Sequence, residues 1–283
     1  MGFGEVFGKS WKEYKDNFWS IFIFMSIFIL IPSLFVLVVN FSLIGNYPSL
    51  QNINLNPIVK STEVLGKTEI YYYILMGLLT LTTIFLPMVA SAGILKNSLI
   101  KERYTFRELK KEGIVSLGRF LLISIVILFF LLCLFLLGML FLFILPGLVS
   151  IVLLFLLLVI AVIFIVYWIF GPYVLFDEKK GVFKSLRKSM EIVKGRWWKT
   201  LGYTIVLILI MIGISIASSL ISLPGILVYM IYIFGGKPVS SGIFIFLSLS
   251  DAIANFVGSL LIVPLSTLFF KNLYLKVKKN KKY

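Results

Sequence analysis

Long unbroken apolar runs alternate along the chain with short segments whose apolar residues recur every three or four positions. The clearest periodic segment is 181–203. Val182, Leu186, Met190, Val193 and Trp197 line one helical face there, and Lys184, Arg187, Lys188, Glu191 and Lys194 the other. The pattern breaks at Gly195 and gives way to an apolar run from Leu201 onward. An amphipathic basic helix that lies on a membrane and then turns into it has this form. Phe3, Phe7, Trp11, Tyr14 and Phe18 mark a second such face, and a third lies in the basic segment after residue 96. Interfacial helices are therefore predicted near 3–16, 104–117 and 180–194.

The unbroken runs are long enough to cross a bilayer, which takes about 20 apolar residues. Spans are predicted at about 18–41, 70–95, 120–145, 148–171, 200–222 and 243–270. Residues 120–170 are almost wholly apolar and broken once, at Pro146 and Gly147, which makes two spans joined by a tight turn. Pro32 is placed to kink the first span. Residues 42–69 read as a polar loop, and Tyr71, Tyr72 and Tyr73 as an aromatic belt at the start of the second span. Residues 226–234 are too short to cross alone and read as an interfacial or re-entrant piece. The fold class is thus an all-α integral membrane protein, one polytopic domain over 1–283.

Composition narrows the function classes. The 283 residues are 60% hydrophobic and 14% charged, with a formal net charge of +15. A basic soluble protein would suggest nucleic acid, but here the cations cluster beside apolar runs, which favours anionic headgroups as partner. Of the 27 Lys and Arg, only Lys60, Lys67 and Lys237 fall outside if both termini are cytoplasmic, so a cell-membrane protein with both ends inside is expected. The first apolar run is far longer than a signal-peptide core and is expected to stay as an anchor. Cys133 is the single cysteine and histidine is absent, which removes disulfides, the common zinc sites and the His-based nucleophile systems. No cofactor is expected.

The periodic segments also echo one another. Ser10 to Trp19 aligns without gaps on Ser189 to Trp198, and a looser copy pairs Phe106, Leu109, Gly118 and Arg119 with Phe183, Leu186, Gly195 and Arg196. Each copy precedes an odd-numbered span, and spans three and five both end in Leu-Pro-Gly, at 145–147 and 223–225. A three-fold repeat of elbow-plus-hairpin units would produce this, as would the shared demands of the interface.

The order Gly171-Pro172-Tyr173, an acidic pair, Gly181, a basic helix with Ser189, and Gly195-Arg196-Trp197 leading into a span resembles a known family. It is similar to the membrane domain that accompanies glycerophosphoryl diester phosphodiesterases, and to stand-alone relatives of unknown function, over about residues 165–275. Pro264 and Tyr274 also fit. The family's tail tends to read Tyr-x-Asp-Leu-Arg, whereas Tyr274-Leu275-Lys276-Val277-Lys278 lacks the acid. The resemblance implies a membrane domain and no catalysis, because the phosphodiesterase chemistry belongs to a separate soluble domain.

Two sets of residues are candidates for function. Lys184, Arg187, Lys188, Lys194 and Arg196 could contact anionic lipid, or serve as topology flanks with Trp11, Trp19, Trp197 and Trp198 as anchors. Asp251 is the one charge placed inside a predicted span, and it shares a helical face with Ser248, Asn255 and Ser259. Ser215 and Ser219 on span five are its expected neighbours across the hairpin. That set reads either as a proton, cation or headgroup site or as packing glue, with Ala254 and Gly258 permitting close approach. Asp177 and Glu178 read as a solvated loop end, since adjacent carboxylates usually diverge. Spans three and four carry no polar constellation and read as lipid-facing. The leading function is a non-enzymatic accessory or organising protein that engages lipid or another membrane protein. The alternative is a small-solute or ion permease using the Asp251 face.

Overall fold

The computed structural model describes residues 2–46, 67–145, 147–235 and 241–279. Most of the expected polar loop 42–69, together with Pro146 and Lys237, lies outside them. The described residues are all-helical: α1 (Phe3–Asp16), α2 (Phe18–Met25), a π-helical turn (Ser26–Leu30), α3 (Ile31–Asn46), α4 (Lys67–Ile100), α5 (Phe106–Ile144), α6 (Gly147–Trp168), α7 (Gly171–Asp177), α8 (Val182–Val193), α9 (Trp197–Ser219), α10 (Leu223–Phe234) and α11 (Ser241–Lys279). Among them five helical stretches are long and apolar enough to cross a membrane: Phe18–Val38, Phe106–Ile144, Gly147–Asp177, Trp197–Ser219 and Ile245–Lys279. The chain is built as an all-α membrane protein.

Pro32 acts where the pattern placed it, but through a π turn. A proline ring clashes with the carbonyl four residues back and offers that carbonyl no donor. Widening the preceding turn at Ser26–Leu30 relieves the clash. The Ser33 hydroxyl donates to the Ile29 carbonyl at 2.7 Å beside it.

The chain divides into two compact units. The first comprises Met1–Ile21, Ser91–Ile210 and Val263–Tyr283. Its α5 and α6 form an antiparallel hairpin closed by Ser150, whose hydroxyl donates to the carbonyls of Phe141 (3.0 Å) and Leu145 (2.9 Å). Gly138 lets the pair approach, since a Cβ there would lie 2.8 Å from a methyl of Leu154. The outward residues of this hairpin are large and apolar, with Phe143 84% exposed and Leu148 79% exposed, as a lipid-facing surface requires.

The helix α8 departs from its expected setting. Its apolar face does not lie open to lipid. Leu186, Ile192 and Val193 are buried, and Leu186 joins Ile123 of α5 and Leu175 of α7 in a core that also takes Val126, Ile127, Trp168 and Val182. Ser189 is buried too and donates to the Tyr167 carbonyl at 2.6 Å. An apolar stripe can be covered by protein as well as by acyl chains, and periodicity alone does not distinguish them. Likewise α1 buries Val6, Ser10 and Tyr14.

The third expected elbow is not a separate helix. Residues 106–117 form the first turns of α5, which runs unbroken to Ile144 behind a capping box in which Thr105 and Glu108 satisfy each other's backbone N–H groups. Nothing breaks the chain at Gly118, whereas α8 and α9 are divided at Gly195, where φ is +84°. The basic tail after residue 270 is likewise helical, as the continuation of α11 to Lys279.

The second unit comprises Phe22–Ala90 and Met211–Ile262. Here Leu223-Pro224-Gly225 opens α10 rather than ending a span, with Pro224 in the first turn, where its missing N–H is no loss. Gly225 lies against α11 so closely that a Cβ would meet the Leu247 Cα at 3.0 Å. At twelve residues, α10 is too short to cross a bilayer alone.

Candidate functional site

Several polar residues of the first unit converge on the last turns of α11. Lys271 is only 5% exposed, and its ammonium meets both carboxylate oxygens of Glu13, at 2.7 and 2.6 Å. Asn272 donates to the Ser10 hydroxyl at 3.0 Å. One turn on, the Tyr274 hydroxyl donates to Asp177 at 2.6 Å, and Lys278 reaches Asp177 at 2.6 Å and Glu178 at 3.0 Å. The acidic pair is therefore no solvated loop end. It clamps α11 to the end of α7. Burial raises the Glu178 carboxyl, but hydrogen bonds from Lys180 and Lys278 outweigh it and hold the group below the usual glutamate range.

Residues that carried the family resemblance sit in this assembly. Tyr173 is buried, stacks on Tyr274 with ring centroids 6.1 Å apart, and donates to the Thr267 carbonyl at 3.1 Å. Gly171 packs closely here, since a Cβ would lie 2.9 Å from a Leu186 methyl and 3.1 Å from an Ile123 methyl. The chain matches no family model, no curated protein and no solved structure. Function must therefore be read from the chain's own geometry.

The break between α8 and α9 shapes the one recess rich in cations that we describe. At Gly195 the positive φ turns the chain sharply, and Arg196 follows as the residue before α9. Arg196, Lys199, Thr200 and Tyr203 then fall on one face of α9, spaced three, one and three. Opposite them Leu273, Lys276 and Val277 fall on one face of α11. Together they line a recess of about 550 Å³. The Arg196 guanidinium donates to the Val277 carbonyl at 3.1 Å, and Lys199 lies 5.9 Å over the Tyr203 ring. Three cations and the Tyr203 side chain thus line one space close to the start of α9, while the Thr200 hydroxyl donates to the Arg196 carbonyl at 3.1 Å. Such a set favours an anion.

Of the five lipid-contact candidates, only Arg196 lines this recess. Lys184, Arg187 and Lys194 are exposed and Lys188 is half-buried on the outer side of α8. Lys188 pairs with Glu191 at 3.1 Å, and Arg187 lies 4.0 Å from the same carboxylate. Lys199, Thr200, Tyr203 and Lys276 were not singled out by the sequence reading. The available signal was the 196, 199, 200, 203 spacing, which repeats the i, i+3, i+4, i+7 rule on the polar side of a span's first turns.

The second candidate set lies in the second unit. Asp251 and Asn255 are exposed, and Ser248 and Ser259 are half-buried. Ser215 and Ser219 are exposed, with the Ser219 hydroxyl donating to the Ile216 carbonyl of its own helix. The close approach of α9 and α11 is made instead by Ser218 and Gly258, where a Cβ on the glycine would lie 2.8 Å from the Ser218 hydroxyl. Asp251 lies seven residues before Gly258 on nearly the same stripe of α11. Ala254 and Gly258 are buried along that stripe while Asp251 is not. Asp251 is thus exposed rather than buried, and the buried part of the stripe begins one turn further along α11, at Ala254.

Proposed function

We propose that this protein is a non-enzymatic, six-span membrane protein of the cell membrane, with both termini cytoplasmic, whose cytoplasmic side engages anionic lipid. It serves as an accessory or organising protein for lipid or for a second membrane protein. The observation that carries the reading is the cationic recess between α9 and α11, set where a basic segment meets a lipid-compatible run. The run that follows presents Ile205, Ile208, Leu209 and Ile212 outward, and Trp198 beside the recess is 79% exposed, as an interface anchor would be. The excess of 27 Lys and Arg over 12 Asp and Glu supports the same partner.

Reconstitution into nanodiscs of mixed phosphatidylcholine and phosphatidylglycerol tests the reading. Repeated detergent washing followed by lipid quantification should leave phosphatidylglycerol enriched on the protein over its share of the bilayer. A bound fraction identical to the bulk mixture would remove lipid engagement as the function.

A further inference from the structure

We propose that the recess between α9 and α11 is a one-to-one site for a phosphate group carried by an anionic phospholipid, and that Glu5 of α1 is the internal anion that competes for it. This rests on the lipid-engaging reading above and specifies where and how the lipid is held.

The volume suits a headgroup. About 550 Å³ exceeds a bare phosphate and lies within the usual range of small-molecule sites. The chemistry suits a phosphate. Arg196 offers a planar fork, Lys199 and Lys276 offer point charges from the two facing helices, and the Tyr203 hydroxyl can donate. The first N–H groups of α9 add their partial positive charge at the same end. Leu273 and Val277 make part of the wall apolar, which a free inorganic ion would not need. Also at the start of α9, a second recess of about 540 Å³ is lined by Trp197, Trp198, and Tyr167 and aliphatic residues of α6. Cations in one recess and an apolar lining in the other bracket the depth at which headgroup gives way to acyl chain.

The first turns of α1 reach this wall at two points. Phe3 packs edge-on against Tyr203 at 5.9 Å between ring centroids, and Glu5 pairs with Lys276 at 3.1 Å. The Glu5 side chain is 55% exposed while that of Lys276 is 13% exposed, so the acid is the movable partner and the lysine the anchored one. An incoming phosphate therefore exchanges with Glu5 rather than creating a new charge pair from solvent.

The test is retention of phosphatidylglycerol by the full chain in detergent, followed by native mass spectrometry at low salt. The substitutions avoid Arg196, which also bonds the Val277 carbonyl. Lys199→Gln with Lys276→Gln should weaken binding of one lipid about 25-fold, at about fivefold per cation. Glu5→Gln should strengthen it severalfold, a gain that a misfolded variant would not show. The outer-face variant with Lys184, Arg187, Lys188 and Lys194 changed to Gln should retain the tightly held lipid. If wild-type protein holds no lipid preferentially, the functional reading fails and this site with it. If the outer-face variant loses the lipid and the Lys199/Lys276 variant does not, lipid engagement stands and the recess assignment is overturned. Glycerol 3-phosphate and inorganic phosphate form the last arm. Weak competition by both supports a lipid-borne phosphate, and displacement at concentrations equal to the lipid overturns it.

Discussion

At the scale of single residues, the pair Glu13 and Lys271 shows how burial converts a surface-type interaction into a structural commitment. Side-chain exposure is 6% for Lys271 and 10% for Glu13, and the two come from positions 258 residues apart. Removing one partner strands the other charge away from water, which costs about 3–5 kcal/mol. Lys271→Met is expected to destabilise the first unit by that amount in detergent unfolding curves. The double variant Glu13→Gln with Lys271→Met should recover most of the loss, because no charge is then left unpaired. Equal destabilisation by the single and double variants would show that packing of the lysine stem, and not the charge, is what matters. The sequence offered no hint of this pair. Lys271 lies just past the predicted end of span six at 270, and Glu13 on the interfacial helix predicted near 3–16.

At the scale of elements, the decisive feature is where helices stop. Gly118 and Gly195 occupy matching positions in two of the echoing segments, yet only Gly195 adopts a positive φ and separates α8 from α9. A non-glycine residue in that conformation costs about 1–2 kcal/mol. Gly195→Ala should therefore lower stability by about that much, and Gly195→Asn by less, since asparagine tolerates the left-handed region. Gly118→Ala should be neutral or slightly stabilising, as alanine favours the helix interior. Thermal unfolding of the three variants checks the contrast, and a penalty at Gly118 equal to that at Gly195 would contradict the assignment. The elbow helices were legible as amphipathic from their spacing. What covered their apolar faces was not, because Leu186 buried against Ile123 and Leu175 has the same periodicity as a leucine buried in acyl chains.

At the scale of the whole molecule, the five long apolar helices mark a membrane protein, and the proposed six-span arrangement with both ends inside predicts that residues 42–69 and about 223–242 face outward. Single cysteines at Asn54 and Lys279 in a Cys133→Ser background should label from opposite sides of the membrane with an impermeant thiol reagent. Labelling of Asn54 from the cytoplasmic side alone would overturn the topology. By itself the sequence determined that the chain is an all-helical membrane protein, and it gave the approximate extent of its long helices, because each apolar run must satisfy its own backbone polar groups and only a helix does so within one segment. It also marked Arg196 as a candidate cation. Only the tertiary structure decided that α11 carries on past the apolar run into the tail, that Asp177 and Glu178 clamp that tail, and that Lys199 and Tyr203 face Lys276 across one recess. Those pairings join residues about 73 to 101 positions apart, and Glu13 with Lys271 lies 258 apart. Local periodicity reports which face of a helix is apolar, but the partner of a buried charge depends on how distant segments dock, and no window of neighbouring residues contains that information.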